Sequence, residues 1–293
     1  MNNFHGYECC VIAAFTSYNP DLELFYEAVS SVRPQVSNVI IVDNGSDNLV
    51  GVREIASKTG SILISFGENK GIAAAYNVAF ERAIRYGADW VLTCDQDSVM
   101  PDDLVLRLVE GASSFSTISP IGIVCPNFRN RTTGSLEFDY GEPRLIKNCI
   151  SSGSLTSTVA WTTISGFDEN MFIDGVDFEF CDRLVPAGFD ILLVPNVVMY
   201  HEIGNIEFHN ILGHSVAVLN HSSFRKFYIA QNIIYRDGKS RGGIASPVSF
   251  VKVLRQVVLV IAFEDDKLDK ISSLLRGMKS GVALLSRLRR PND

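Results

Sequence analysis

Asp89-Trp-Val-Leu-Thr-Cys-Asp-Gln-Asp-Ser98 decides how the chain is read. Its apolar run, 90–94, has strand length and no polar alternation, which is the pattern of a strand covered on both faces. It stops abruptly at two acids one residue apart, Asp95 and Asp97. Ligands of open α/β sheets collect beyond the carboxyl ends of the strands. Residues at i and i+2 on an extended strand point the same way, so both acids are expected to face one ligand. Two hard oxygen donors suit Mg²⁺ or Mn²⁺, which bind one or two carboxylates and take further ligands from a substrate's phosphates. The stretch thus reads as a metal-dependent site for a nucleotide diphosphate. The plain alternative is an exposed loop with two solvated acids.

Working outward, the 293 residues suffice for one large domain or a domain with an appendage. With 46% hydrophobic and 20% charged residues the composition is that of an ordinary globular protein. A net charge of -7 argues against nucleic acid as a partner, since phosphate neutralisation needs clustered Lys and Arg. The six cysteines show no paired metal or redox spacing; Cys9, Cys94, Cys125 and Cys181 fall in apolar segments, as small hydrophobes do. A reducing, cytoplasmic location is expected. The first residues, Met-Asn-Asn-Phe-His, have neither a basic start nor a long apolar run, so no signal peptide is expected.

Strand-length apolar runs at 8–15, 39–42, 61–65, 90–94 and 121–124 alternate with helical segments at 21–32, through about Ser57, 71–86 and from Pro101. Asp21 is placed to cap the first helix, and Pro101 is expected in the first turn of the last. Strand–helix alternation of this kind predicts βαβ units and a doubly wound, mostly parallel sheet. From 127 to 158 short polar runs with Gly and Ser predict irregular or antiparallel structure. A short helix is expected through about Ile164, a helix over 176–187, and strands at 191–194 and 197–200 ending at His201.

The loop after the first strand, Phe15-Thr-Ser-Tyr-Asn-Pro20, is neither G-x-G-x-x-G nor a P-loop, which sets aside dinucleotide-dependent dehydrogenases and P-loop NTPases. Asp43 ends the second strand, where an acid can accept from a ribose or a base, but Asp-Asn-Gly-Ser is also ordinary turn chemistry. Residues 166–183 are dense in acids among aromatics. In a helix over 176–187, Asp177 lies in the first turn, facing the ligand side while Phe178, Cys181 and Leu184 or Val185 pack inward. First-turn acids also serve simply as partners of the helix dipole.

With these pieces in view, the chain resembles the family-2-type glycosyltransferases of the GT-A fold, and more narrowly the bacterial rhamnosyltransferases that build O-antigen and related surface polysaccharides. The resemblance rests on Thr16-Ser-Tyr-Asn-Pro20, Val42-Asp-Asn-Gly-Ser46, Asn69-Lys-Gly71 with Asn77, Asp95-Gln-Asp-Ser98 and Gly166-Phe-Asp-Glu169. It continues through Phe172-Ile-Asp-Gly-Val-Asp-Phe-Glu-Phe-Cys-Asp-Arg183, His201-Glu-Ile-Gly204 and His221-Ser-Ser-Phe-Arg-Lys-Phe-Tyr228. Gln96 between the two acids and the Phe-Ile-Asp-x-Val-Asp form point to the rhamnosyl branch. Relatives commonly carry Arg-Asn where this chain has Gln231-Asn232, which opens the question of what that helix does.

The resemblance implies roles. Asp43 contacts the base or ribose, with Thr16, Ser17 and Tyr18 nearby. Asp95 holds the ribose or assists the metal, Asp97 binds the metal bridging the phosphates, and His201 is a further metal ligand. Read from the residues alone, His201 is a structural histidine after a strand. Asn69, Lys70, Gly71, Asn77, Gln96 and Arg225 belong to the substrate site, and Asp174 and Glu179 to its acceptor side. Asp177 stands where the family keeps its catalytic base. The expected reaction is inverting transfer of L-rhamnose from dTDP-L-rhamnose to a lipid-linked saccharide acceptor. Its single displacement needs a base on the acceptor hydroxyl and charge stabilisation on the leaving diphosphate, with no enzyme nucleophile.

The catalytic domain is expected over 1–245 and a helical appendage over 246–293. In 246–263, Ser249, Lys252 and Gln256 share one helical face and leave a broad apolar one; the two cations make it a poor spanning helix. Ile271, Leu274, Leu275, Met278, Val282 and Leu285 recur at helical spacing beside an acid-free set of Arg and Lys. These helices are expected either to lie on the cytoplasmic membrane face or to cover the catalytic domain and form an oligomer seam.

Overall fold

Val11, Ile12, Ala13, Ala14 and Phe15 are at most 1% exposed, so the first long strand is covered on both faces, the burial typical of a parallel sheet. The computed structural model describes the backbone of residues 2–4, 7–131, 133–201, 207–211 and 214–289, and the side chains of 9–131, 133–200 and 218–289. The chain divides into two compact units, Met1–Glu169 with Val176–Glu202, and Asn170–Gly175 with Ile203–Asp293.

In the first unit, β1 (Asn2–Phe4) and β2 (Tyr7–Cys9) form a hairpin. Then follow β3 (Val11–Ser17), α1 (Leu22–Val32), β4 (Asn38–Asp43), α2 (Leu49–Thr59), β5 (Ile62–Ser65), α3 (Ile72–Arg85), β6 (Trp90–Cys94) and α4 (Leu104–Ser114). After these come β7 (Ile121–Asn130), β8 (Arg144–Ile146), β9 (Ser154–Ser157), α5 (Thr158–Thr163), α6 (Val176–Leu184) and β10 (Asp190–His201). Asp21 caps α1 as its position predicts, accepting from the Glu23 and Leu24 amides at 3.0 and 3.1 Å.

The eight-stranded sheet has the order β5-β4-β3-β6-β9-β7-β10-β8. β5, β4, β3 and β6 are parallel, β7 and β10 are parallel to each other, and β9 runs against both β6 and β7. This is the expected mostly parallel α/β sheet with a smaller antiparallel part. The main core lies under one face, where Phe15, Leu92, Leu104, Leu108 and Leu155 pack with Phe25 and Val29 of α1.

Several boundaries differ from expectation for local reasons. Pro101 precedes α4 instead of opening it: its carbonyl closes a turn onto the Leu104 amide at 3.1 Å, and the helix starts there. The two expected strands at 191–194 and 197–200 are one, β10, with a register shift between Val194 and Val198 that absorbs Pro195. α6 ends at Leu184, short of 187, and Phe180 rather than Phe178 is its buried aromatic; Val185 is exposed.

The second unit holds the β11 (Glu207–Ile211) and β12 (His214–Val218) hairpin and three helices, α7 (Ser223–Lys239), α8 (Pro247–Phe263) and α9 (Lys267–Leu288). α7 and α9 approach closely where glycines meet backbone: a Cβ on Gly277 would fall 2.0 Å from the Phe227 carbonyl oxygen. Among the described residues no helix is long and apolar enough to cross a membrane.

Candidate active site

The chain runs outward from β3 to β4 and β5, then returns to pair β6 on the other side of β3, with Phe15 opposite Cys94. The carboxyl ends of β3 and β6 therefore flank the switch point, where open α/β sheets bind ligands. Tyr18 follows one and Asp95-Gln96-Asp97 the other. Gln96 ties them together: its side-chain oxygen accepts from the Tyr18 amide at 2.8 Å, and its nitrogen donates to the Tyr18 carbonyl at 3.4 Å. The expectation that Asp95 and Asp97 share a face through strand alternation is corrected here. β6 ends at Cys94, and Gln96 and Asp97 form a turn, with Asp97 exposed and Asp95 half-buried.

The neighbouring loops are built on Asp43 and Asn44. Asp43 is fully buried; one oxygen accepts from the Ser17 hydroxyl at 3.3 Å, the other from the Gly45 and Ser46 amides at 3.2 and 3.1 Å and the Ser65 hydroxyl at 3.4 Å. Of its two sequence readings, turn chemistry is the one these bonds display. Ser17 is buried with it, whereas Thr16 is half-buried and Tyr18 exposed. Asn44 accepts from the Lys70 amide at 2.8 Å, and Asn69 accepts from Gly71 at 3.0 Å, so the 69–71 loop is strapped to the end of β4. Gly71 takes φ +87°, open to glycine, as α3 begins.

Asp177 is set by α6 and by a loop from elsewhere in the chain. Because β9 is antiparallel to β6, residues 151–153, which lead into it, fall at the carboxyl end of β6. There the Gly153 amide donates to the Thr93 carbonyl at 2.7 Å, and the Thr93 hydroxyl donates to the Ser151 carbonyl. The Ser151 amide in turn donates to Asp177 Oδ2 at 3.4 Å, and the Phe178 amide to Oδ1 at 2.9 Å. Burial raises the Asp177 pKa to about 6; the two amides pull it down, and the nearby Asp95 charge pushes it up. The same Asp95 charge acts on Tyr76, whose buried hydroxyl lies 3.5 Å from Ser151 Oγ. Structure thus brings Asp95, Ser151, Tyr76 and Asp177 into one electrostatic neighbourhood. Ser151 and Tyr76 escaped sequence reasoning; the only trace was the Ser-Ser-Gly-Ser run before a strand.

Other expected site residues have partners of their own. Asn77 clamps the loop after α5: it donates to the Phe167 carbonyl at 2.9 Å and Glu169 at 2.8 Å, and accepts from the Phe167 amide at 2.8 Å. Glu179 is expected on the acceptor side but is 2% exposed and grips Arg183 at 2.7 and 2.8 Å, while Arg183 also donates to the Ile164 and Gly166 carbonyls. Its place is to fasten α6. In the second unit, Asp174 sits at φ +67° and pairs with Arg225 at 2.7 Å. Asn232 holds that strained loop by donating to the Ile173 and Asp174 carbonyls, both at 2.7 Å, and Gln231 donates to the Asn170 carbonyl at 3.2 Å. That is what the departing Gln231-Asn232 pair does. The side chain of His201 lies outside the described residues, as do 202–206.

A divalent cation fits the rim by donor chemistry. Asp95 and Asp97 are hard oxygen donors, and the Asp95 charge is felt by Cys94, Tyr76 and Asp177 alike. Among the described residues no group of three or more His, Cys, Asp or Glu gathers into a closed cage. A cation held there would take its remaining ligands from a bound substrate's phosphates.

Residues 9–173 match the family described as "Glycosyl transferase family 2". The dTDP-rhamnosyl transferase RfbF of Shigella flexneri is 25% identical over 285 residues, covering 93% of this chain and 95% of that protein. Among solved structures, TarS residues 1–349 from S. aureus in complex with UDP-GlcNAc superpose with a TM-score of 0.58 at 13% identity, covering 95% of this chain and 83% of that one. GalNAc-T7 with UDP, GalNAc and Mn²⁺ gives 0.55 at 13% identity over 97% of this chain, which spans only 58% of that protein. These two likenesses bear on the fold, which is of the GT-A type.

Proposed function

Because the chain belongs to glycosyl transferase family 2, we propose that it transfers L-rhamnose from dTDP-L-rhamnose, with inversion, to a saccharide acceptor carried on a lipid at the cytoplasmic face of the membrane. The donor follows the relative that aligns along nearly the whole chain. The chemistry follows Asp177. A general base works best with a pKa near the working pH, and a half-buried carboxyl near 6 beside the switch point meets that requirement. Asp177 takes the proton of the acceptor hydroxyl as its oxygen bonds to the anomeric carbon. The bond from that carbon to the diphosphate oxygen breaks, and the nucleotide diphosphate leaves with the electron pair. Asp95 and Asp97 would hold Mg²⁺ or Mn²⁺, which when bound neutralises the charge growing on the diphosphate. The Gln96–Tyr18 link holds the two rim loops in register for the donor, and acceptor choice falls to the 127–158 loops.

The test is product analysis with dTDP-L-rhamnose, Mn²⁺ and a panel of lipid-linked acceptors. Asp97→Ala should abolish metal-dependent donor binding, whereas Asp177→Asn should keep donor binding and lose transfer. Parental transfer by Asp177→Asn would refute the base. Thermal stabilisation by a UDP-hexose and not by dTDP-L-rhamnose would replace the donor, since a ligand stabilises the native state in proportion to occupancy.

A further inference from the structure

α8 is built inside out for a helix of a water-soluble surface. Its buried residues include Ser249 at 1% exposure along with Val253 and Val260, and half-buried Gln256 accepts from Lys226 Nζ at 3.4 Å. Its outward side carries Phe250, Val251, Leu254, Val258 and Ile261, exposed between 38% for Phe250 and 63% for Val251. At 3.6 residues per turn these five lie within an arc of about 100°. Scattered exposed aliphatics are ordinary, but a contiguous patch of this kind marks an interaction surface.

Charge decides what covers it. Arg255 stands about 40° beyond the arc on one side with Lys252 about 60° farther round; Pro247–Phe263 contains no acid, and the exposed Asp265 and Asp266 come only after its end. Glu264, the next residue, is 2% exposed and committed to Lys226 at 2.6 Å and Lys270 at 3.1 Å. Two copies of α8 laid face to face would set this cationic border on a helix with no acid to answer it. A layer that is apolar below and anionic at its surface answers both features. Interfacial helices sink their apolar face to the level of the acyl chains and keep cations among the headgroups.

We propose that α8 is a membrane-docking helix, its 250–261 arc inserted in the interface of an anionic bilayer with Arg255 and Lys252 on the phosphates. This rests on the membrane-side placement proposed above and names the surface that would achieve it; the helix lies in the interface plane and does not span.

The test is co-sedimentation of the full chain with vesicles of phosphatidylglycerol and phosphatidylethanolamine, and with phosphatidylcholine alone. The chain should pellet with the anionic vesicles and stay in solution with the neutral ones. Lys252→Glu with Arg255→Glu should weaken binding at least roughly thirtyfold, at about a factor of five per cation near the surface. Val251→Ser, Leu254→Ser and Val258→Ser together should abolish it with an unchanged melting temperature, because all three face outward. Equal pelleting by parent and triple variant would overturn the proposal. So would a dimer in light scattering that the triple variant dissolves, which would make a second copy the occupant. Thermal shift with dTDP-L-rhamnose, measured without vesicles, reports on the donor reading separately.

Discussion

Apart from the Glu179–Arg183 pair of α6, the two units hold their buried acids in opposite ways. In the sheet unit, Asp43 and Asp177 are held by backbone amides and hydroxyls at strand ends. In the helical unit, Glu264 lies between Lys226 and Lys270, and Asp174 is forked by Arg225. Amides orient a carboxylate without cancelling its charge, so it keeps the capacity to take a proton or meet a cation. A buried ammonium cancels it, and the pair becomes a fastening between helices. The contrast separates carboxylates that keep their charge from carboxylates spent on holding shape.

Removing the Asp177 charge should have the largest effect. Asp177→Asn is expected to lower transfer on the order of a thousandfold, within the range for a general base, at unchanged donor affinity. Parental kcat/KM should fall below about pH 6 as Asp177 protonates, and the variant should lack that limb. Breaking the other kind of site should act on stability. Glu264→Ala strands two buried ammonium groups and should cost about 3–5 kcal/mol, read as a drop in the denaturant midpoint. Replacing all three charges by Met and Leu of similar volume should recover most of that loss. If Glu264→Ala were neutral, the contrast between the units would collapse.

A smaller effect runs the other way. The Asp177 pKa is raised from 3.8 to about 6. Its contribution to stability is therefore full below about pH 4 and lost as pH rises through 6. Asp177→Asn should accordingly stabilise the fold at pH 7.5, by at most about 3 kcal/mol, with the gain fading toward pH 4. Melting curves at the two pH values check this. Gln96→Ala removes both links to the Tyr18 backbone and should cost about 1 kcal/mol, with a rise in donor KM larger than any fall in kcat. At the bottom of the scale, Glu68→Ala should leave the melting temperature unchanged, because the Glu68–Lys70 pair is 3.8 Å apart and largely exposed.

The α/β sheet was legible because strands covered on both faces leave unbroken apolar runs, as at 39–42 and 90–94, and because Asp21 announces its helix. The end of the strand at Cys94 was legible but the geometry after it was not, since sequence does not say that the backbone turns at once through Gln96 and Asp97. Glu179 misled for a related reason: an acid in a helical first turn looks the same whether it faces substrate or an arginine four residues on. Ser151 was unreadable, since its place depends on the direction in which the strand that follows it, β9, inserts between β6 and β7. Gln231-Asn232 looked like a loss against relatives, yet its amides bond to the backbone of 170–174, a task invisible without coordinates.

The reversed direction of β9 has one more consequence. Every other loop at this end of β3, β4, β5 and β6 follows a strand, and its length is constrained by the helix that must come next. The segment from β8 to β9 arrives from the opposite side and ends in a strand, so it can lengthen, shorten or change character upstream of Ser151 while the donor loops keep their spacing. If the 127–158 loops choose the acceptor, as proposed above, a new acceptor would need only that one connection rewritten.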